Sequence, residues 1–441
     1  MQSRSLRSDL GLGSRVATRA NRRPTSRSDS PKHPGNELAA EFDLASRWVG
    51  GSVLAASDES FGEKESLLNP EAARFEPGHY GPRGEIVDGW ETRRRREAGH
   101  DWALVRLGTP GIITSVDVDT SFFTGNFPPF CQIEACGREG YPSPAELNDA
   151  ASEWVDIVPR TPVRGDTHNI FPVSDPRRFT HVRLATFPDG GVARLRVFGR
   201  VVPDPRLLDG VTVDLLSQEL GGAVIASSDS FYTSARVLNR PDRARSMGEG
   251  WETRRRRDPG NDYVVFHLAL AGHVRQLIVD AAHFRYNASA EIAVFGSVLE
   301  SVPSVEAEGW IPLLRRTRLL PDTRHIFPIA HSPGALYSIR LDAFPDGGLS
   351  RVRVLGTPDP AARRRAGYRW FSTLPATQAQ RCLVDAGVPP DIAAEVCDHR
   401  SAEEGWLATF RDRFTGKGSL GEASYFRALA AMLEGPSAQL E

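Results

Sequence analysis

The stretch Asp88-Gly-Trp-Glu-Thr-Arg-Arg-Arg-Arg-Glu97 determines the architecture, because it recurs as Glu249-Gly-Trp-Glu-Thr-Arg-Arg-Arg-Arg-Asp258. Further blocks recur around it in the same order, which chance does not explain. These blocks are 50–55 with 221–226, 99–102 with 260–263, 154–172 with 310–328, and 187–191 with 344–348. The chain is therefore an internal duplication. Its units span 48–202 and 219–358, each about the size of one domain.

Inside each unit the apolar runs are short, and several alternate with polar residues, as is typical of β-strands. In the first unit we predict strands at 102–107, 113–118, 179–184 and 193–198. Turn residues such as Pro188-Asp-Gly-Gly191 separate the runs, and no ten-residue amphipathic helix stands out. The pattern predicts a mainly β chain with two tandem jelly-roll-like antiparallel β-sandwich domains.

The two ends of the chain differ from the duplicated part. Residues 1–36 are rich in Arg and Ser and poor in acids, which predicts a disordered tail, with an organelle transit peptide as the alternative. Residues 358–365 are predicted to be a linker. Capping boxes at 401–404 and 419–422 are among the helical signals that follow, so residues 366–436 are predicted to form a small C-terminal α-helical domain.

Composition excludes several classes of protein. The chain has 441 residues, a formal net charge of −2 and no apolar run long enough to cross a membrane. Nucleic-acid-binding chains of this size are usually basic, so we predict neither a nucleic acid nor a membrane as partner. The four cysteines lack a CxxC spacing, which favours a reducing, cytoplasmic location.

Known cofactor motifs are also missing from the sequence. It contains no HxH, HExxH or Cys/His cluster, no phosphate loop and no dinucleotide fingerprint. We therefore predict no metal site and no cofactor. A hard metal ion held by carboxylates stays open as an alternative.

The arginine run is the first candidate site. If it lies on a strand, Arg93 and Arg95 share one face, and Arg94 and Arg96 share the other. One pair can line a pocket and hold an anion, with Glu91 as a partner, because guanidinium groups bind carboxylates in a bidentate fashion. A solvated, salt-bridged face or a subunit contact is the structural alternative, and for any single arginine it is equally plausible.

A second candidate is the loop in Asp117-Val-Asp-Thr-Ser-Phe-Phe-Thr-Gly-Asn-Phe-Pro128. A strand ends at Asp119, and the loop that follows offers Thr120 and Asn126 as donors and acceptors on a rigid scaffold. Glu134, on the next predicted strand, adds a carboxylate, with an exposed strand residue as the structural alternative. The second copy keeps Asp280, Phe284 and Asn287 but loses the rest, so we predict that the first copy is the more complete site.

These blocks resemble those of the allantoicase family. The resemblance rests on residues 67–69, 88–96, 99–102, 107–111, 118–126, 133–135 and 187–191, and it covers about 48–358. It implies tandem jelly-roll sandwiches, a homo-oligomer, and the hydrolysis of allantoate and water to ureidoglycolate and urea in purine breakdown.

The resemblance also suggests roles for the candidate residues. Arg93 or Arg95 would clamp the carboxylate of allantoate, and Asp119 and Glu134 would accept ureido N–H groups. The predicted substrate contacts are completed by Thr120, Asn126 and Trp90. An acid must protonate the departing urea, and a base must activate water. The candidates for this acid–base chemistry are Glu91, His100, Asp101 and Asp119.

A protein of another class remains the alternative. β-Sandwiches of this kind also serve as non-catalytic ligand-binding modules or scaffolds, since the fold does not determine the function. The aromatic residues Phe122, Phe123 and Phe127 in the candidate loop leave room for such a role.

Overall fold

A computed structural model of the chain describes residues 42–82, 84–149, 152–403, 405–408 and 422–436. The predicted tail at 1–36 lies outside these residues, and the two predicted capping boxes lie only partly inside them.

The first repeat is built from strands, with only short helical turns between them. Its strands are β1 Phe42–Asp43, β2 Ser52–Ala56, β3 Tyr80–Gly81, β4 Gly84–Glu85, β5 Trp90–Glu91, β6 Asp101–Asp119, β7 Phe130–Cys136, β8 Val155–Pro162, β9 His168–Pro172, β10 Arg178–Phe187, β11 Gly191–Val192 and β12 Arg194–Val201. One α-helical turn, α1 Pro144–Leu147, and the 3-10 turns Arg47–Val49 and Lys64–Leu68 complete it.

The second repeat follows the same order. Its strands are β13 Val213–Asp214, β14 Ala223–Ser227, β15 Trp251–Glu252, β16 Asp262–Asp280, β17 Glu291–Ser297, β18 Ile311–Arg318, β19 Arg324–Pro328, β20 Leu336–Phe344, β21 Gly348–Leu349 and β22 Arg351–Pro358. Its 3-10 turns are Pro205–Leu208, Gln218–Leu220, Ala235–Val237 and Met247–Glu249. Each repeat begins earlier than predicted, because β1 pairs with β12 and β13 pairs with β22.

One long strand organises each sandwich. The first part of β6 pairs with β10 and β2, and its second part pairs with β12 and β9. The predicted strands at 102–107 and 113–118 are therefore one continuous 19-residue strand that changes partners midway. Alternate residues of both parts, such as Val105 and Val116, point into one buried core. The strand order β1-β12-β6-β10-β7-β8 recurs in the second repeat, which confirms the predicted tandem β-sandwiches.

The C-terminal part is helical, as predicted, but it begins earlier. Its helices are α2 Pro360–Thr373, α3 Ala376–Asp385, α4 Pro390–His399 and α5 Glu422–Glu434. The linker predicted at 358–365 is wrong for its larger part, because the Asp359 side chain caps α2 by accepting from the N–H groups of Ala361 and Ala362. Pro360 at the first helical position needs no hydrogen-bond partner for its nitrogen.

The helical segment packs on the first repeat. Ile112 and Val202 of that repeat share one apolar cluster with Trp370 and Phe371. Gln378 donates to Glu139 of the first repeat at 2.7 Å. Among the described residues, no helix combines the length and the apolar composition needed to span a membrane.

Candidate active site

Two short strands hold Glu91 in place. Glu91 in β5 pairs with Gly191 in β11, and its carbonyl accepts from Gly62 at 3.0 Å. The N–H of Gly191 donates to the carbonyl of Asn126 at 2.7 Å. A Cβ at Gly191 would stand 2.0 Å from a ring carbon of Phe123, so only glycine fits there. Strand β5 and the loop after β6 are thereby locked together.

The carboxylate of Glu91 meets the side chain of Asn126. Asn126 Nδ2 donates to Glu91 Oε1 at 2.7 Å, and Glu91 is half-buried. Burial raises the pKa of the Glu91 carboxyl above its ordinary 4.5, and the Asn126 hydrogen bond partly offsets this rise. Glu91 is therefore a base of more than ordinary strength for a carboxylate, with its orientation fixed by an amide.

The loop that carries Asn126 has an unusual backbone. Phe122 has φ of 70°, which is rare for a bulky residue, and the Asp166 side chain accepts from its N–H at 2.8 Å. Asp119 accepts from the N–H and the hydroxyl of Ser121 at 2.8 and 2.6 Å. These side-chain acceptors replace the regular hydrogen bonds that the loop lacks, and they fix its path toward Glu91.

Glu91 and Asn126 open into a cavity of about 710 Å³, which we call the arginine pocket. The lining residues are Phe61, Glu91, Thr92, Arg93, Arg94, Arg95, Arg96, Gly125, Asn126, Phe127, Pro129, Pro188, Asp189 and Gly190. The structure thus brings together four of the predicted site residues: Glu91, Arg93, Arg95 and Asn126.

The predicted strand geometry of the arginine run is wrong. Strand β5 ends at Glu91, and residues 92–96 are irregular. The N–H of Arg93 donates to Asp58 at 2.8 Å, and that of Arg95 donates to Asp189 at 2.7 Å. Side-chain carboxylates therefore take the place of a strand partner, so all four arginines reach the same pocket instead of opposite faces.

Two of the arginines already have acid partners. Arg95 Nη1 lies 2.8 Å from Asp101 Oδ1, and Asp101 is buried. The side chain of Arg93 is exposed, and its Nε lies 3.6 Å from Asp58 Oδ2. Asp101, a predicted acid–base candidate, thus orients Arg95 and does not line the pocket.

Several other predicted site residues have structural surroundings. Trp90 is completely buried, and its Nε1 donates to the carbonyl of Asp58. Thr120 is also fully buried, and its hydroxyl contacts the carbonyls of Arg164 and Thr167. Both residues support the walls of the site instead of lining the pocket.

Asp119, Glu134 and His100 also lie outside the pocket lining. Asp119 is buried beneath the loop. Glu134 projects from β7 and accepts from Arg183 Nε at 2.7 Å. The exposed His100 ring lies 4.7 Å from that of Phe187. Roles for these three residues in contact with substrate stay predictions.

A second titratable group lies on the outer face of β6. His168 Nδ1 stands 2.7 Å from Asp117 Oδ2, and His168 Nε2 stands 4.0 Å from Asp119 Oδ2. The hydrogen bond to Asp117 raises the pKa of His168, while burial raises the pKa of Asp117. The corresponding residues of the second repeat are Arg324 and Ile278, so this pair belongs to the first repeat alone.

The second repeat keeps the central pair. Asn287 Nδ2 donates to Glu252 Oε1 at 2.7 Å, as in the first repeat. The loop backbone is kept as well: His283 has φ of 70°, and Asp322 accepts from its N–H at 2.7 Å. The predicted loss in this loop therefore concerns its side chains and not its shape.

Sequence reasoning missed residues that shape the site. Asp58 and Asp189 anchor the arginine run, and Phe61 lines the pocket. Asp58 and Asp189 both lie in blocks that recur in the second repeat, so recurrence of a carboxylate was the available signal. In the described part of the chain, no three His, Cys, Asp or Glu side chains form a group suited to a metal ion.

Comparison with known proteins gives a consistent result. Residues 42–202 and 213–359 each match the family described as "Allantoicase repeat". A "Probable allantoicase" of Nocardia farcinica is 49% identical over 71% of this chain and 93% of its own length. A "Probable allantoicase" of Streptomyces coelicolor is 45% identical over 74% of this chain and 89% of its own length.

Solved structures agree with the sequence comparisons. The crystal structure of allantoicase from Saccharomyces cerevisiae aligns with a TM-score of 0.61 and 33% identity. The alignment covers 72% of this chain and 94% of the yeast chain. A second allantoicase structure aligns with a TM-score of 0.60 and 34% identity, over 71% of this chain and 92% of its own.

Proposed function

The chain belongs to the allantoicase family, and from this premise we propose that the arginine pocket of the first repeat is where it hydrolyses allantoate to ureidoglycolate and urea. One observation carries the proposal. Glu91, whose pKa is raised and whose carboxylate is oriented by Asn126, lies in a cavity walled by four arginines. Such a cavity attracts a small carboxylate anion and presents a base to it.

The cavity suits allantoate in charge and chemistry. Allantoate carries one carboxylate and two ureido groups on a single carbon. The arginine wall favours the carboxylate, and the carbonyl of the Asn126 amide and the Glu91 carboxylate can accept ureido N–H bonds. A volume of about 710 Å³ is ample for one such molecule.

In the first step, Glu91 moves a proton between the two ureido nitrogens. Its carboxylate takes the N–H proton of the ureido group that stays. The electron pair of that nitrogen forms a C=N bond to the central carbon as the other C–N bond breaks. The departing nitrogen receives the proton from Glu91, so urea leaves neutral and Glu91 is again ionised.

In the second step, water adds to the C=N bond. Glu91 accepts a proton from the water as the water oxygen bonds to the central carbon. Glu91 then returns that proton to the nitrogen of the former C=N bond. The product is ureidoglycolate, and atoms and charge balance over the two steps. Asn126 keeps the carboxylate aimed at the reacting nitrogens throughout, because its amide holds Oε1 at 2.7 Å.

The direct test measures urea released from allantoate by the purified full-length chain. We expect steady release by the wild-type chain and a loss of about 10²–10⁴-fold in Glu91→Gln, which keeps the side-chain shape but not the base. The variant should melt at the same temperature as the wild type. A wild-type chain that releases no urea, or a Glu91→Gln chain of wild-type activity, would contradict the proposal.

Two further properties are part of the proposal. All four cysteines are buried and free, which fits a reducing cytoplasmic location. A homo-oligomer is expected from the family resemblance, and light scattering by the purified chain tests it by giving a mass above 48.4 kDa.

A further inference from the structure

Arg160 is not among the residues that line the arginine pocket, but it is stacked against two aromatic rings whose chain neighbours line it. Its guanidinium carbon stands 4.5 Å from the centre of the Phe187 ring and 4.8 Å from that of Phe130. Pro129 and Pro188, the chain neighbours of these two residues, line the pocket. Within the described part of the chain, the exposed side chain of Arg160 takes part in no hydrogen bond and no ion pair.

The second repeat shows the same place with an acid built in. Arg316 corresponds to Arg160 and stacks on Phe344 at 4.1 Å. At the position of Phe130 stands Glu291, whose Oε2 accepts from Arg316 Nε at 2.6 Å. These three residues of the second repeat line a cavity of about 270 Å³. The guanidinium of Arg316 therefore already binds a carboxylate, that of Glu291.

The chemistry of the guanidinium group explains the difference. Its N–H donors point outward in its plane, while its two faces stack on aromatic rings. Rings that cover the faces leave the edge free for a carboxylate, and they favour the cation. The first repeat therefore has Phe130 where the second repeat has an acid. The Phe130 ring keeps the guanidinium of Arg160 in place with its edge open.

Two of the four arginines that line the pocket already have acid partners. Arg95 is engaged with buried Asp101 at 2.8 Å, and Arg93 lies beside Asp58. Both pairs recur in the second repeat, as Arg256 with Asp262 at 2.7 Å and Arg254 with Asp229 at 3.2 Å. Features common to both repeats support the fold of the motif, whereas the free edge of Arg160 occurs in the first repeat only.

We propose that Arg160 binds the carboxylate of the substrate at the mouth of the arginine pocket. In the second repeat, the carboxylate of Glu291 takes the place of this anion beside Arg316. This inference rests on the proposed function and assigns its anion-binding residue. It makes the first repeat specific for small carboxylate anions and leaves the second repeat closed to them.

The test compares Arg160→Gln with Arg316→Gln in steady-state urea release from allantoate. We expect KM to rise about 10- to 100-fold in Arg160→Gln, the value of a charge-assisted hydrogen bond. Its kcat should change by less than about threefold, because binding is lost equally from substrate and transition state. Arg316→Gln should keep the wild-type KM, since its guanidinium serves only Glu291.

A second pair of measurements separates binding from packing. The neutral carboxamide analogue of allantoate is tested as a competitive inhibitor of the wild-type chain and of Arg160→Gln. The loss of Arg160 should leave inhibition by the neutral analogue within about threefold while the KM for the anion rises. Phe130→Glu, which copies the second repeat, should raise KM in the same way because its carboxylate occupies Arg160.

The outcomes are distinguishable. A wild-type chain that releases no urea overturns the proposed function, and this inference with it. An active wild type with an unchanged KM in Arg160→Gln and in Phe130→Glu overturns this inference alone. Equal weakening of the anion and the neutral analogue shows a packing role for Arg160 and also overturns it. If Arg160→Gln fails to fold, Phe130→Glu decides.

Discussion

The two repeats hold the same carboxylate–amide pair in different surroundings. Asn126 meets Glu91, and Asn287 meets Glu252, both at 2.7 Å, and both loops share a left-handed residue held by an aspartate. Where the first repeat has Phe130 beside Arg160, the second repeat has Glu291 beside Arg316. We therefore expect the residue at the position of Phe130 and Glu291, and not the central pair, to determine whether a repeat binds an anion.

The strongest expected contrast lies between the two central glutamates. Glu91→Gln should lower kcat/KM by about 10²–10⁴-fold, because it removes the proposed base. Glu252→Gln changes the matching residue in the second repeat and should stay within about threefold of wild type, since only loss of the base in the working repeat removes acid–base catalysis. Urea release by both variants, with melting temperatures as controls, makes the comparison. Equal losses in the two variants would show that both repeats work.

The pH profile gives the next largest effect. Glu91 must be ionised to start the reaction, and burial raises its pKa above 4.5. Activity should therefore be lost as pH falls through this raised value, with the acid limb of kcat/KM centred above 4.5. In Glu91→Gln the residual activity should lack this limb. A wild-type profile that rises toward acid pH would mean that the protonated carboxyl starts the reaction.

A smaller contrast is expected for the aspartates that support the two loops. Asp119 holds Ser121 with two hydrogen bonds, and Asp280 holds the N–H of Ala282 at 2.9 Å. Asp119→Ala should lower turnover by up to about tenfold, through a loop that no longer places Asn126, which corresponds to the net value of one or two hydrogen bonds. Asp280→Ala should lower it less, and a larger loss in Asp280→Ala would reverse the assignment.

The smallest effect concerns stability. His168 is paired with Asp117 in the first repeat, and this bond raises its pKa above 6.5. A raised histidine pKa stabilises the fold below its unfolded-state value, and the stabilisation is lost as pH rises through the folded-state value. The melting temperature of His168→Gln should thus fall further below that of wild type at about pH 5.5 than at about pH 8.5.

Thermal unfolding at both pH values checks this last prediction. Arg324→Gln, at the matching position of the second repeat, is the control, because it has no aspartate partner at position 278 and its charge does not titrate in this range. A pH-independent difference for His168→Gln would contradict the pairing.

Sequence reasoning succeeded where the signal was repeated and local. Recurrence predicted the two sandwiches, and the motif at 88–97 contains Glu91 and the four arginines that line one pocket. It failed where distant side chains replace backbone partners: Asp58 and Asp189 hold residues 93–95 out of a strand. We predicted two strands in place of the single strand β6, because Gly111, where the strand changes partners, is a residue typical of turns.

The stacking of Arg160 on aromatic rings could not be predicted from the sequence, for a different reason. Arg160 and Phe187 lie far apart in the chain, and only the folded sheet brings the guanidinium against the ring. Trp90 lies inside a recurring motif and Thr120 follows the end of a strand, so both were expected to contact substrate, yet both are fully buried. Recurrence marks positions that the fold needs as strongly as positions that the chemistry needs.

We propose that the first repeat binds and converts allantoate, while the second repeat is closed to it. Titration calorimetry of allantoate into the Glu91→Gln chain, in which turnover should be slowed about 10²–10⁴-fold, counts the sites directly. We expect one molecule bound per chain, with the same count in the double variant Glu91→Gln, Glu252→Gln. Two molecules per chain, or none, would contradict it.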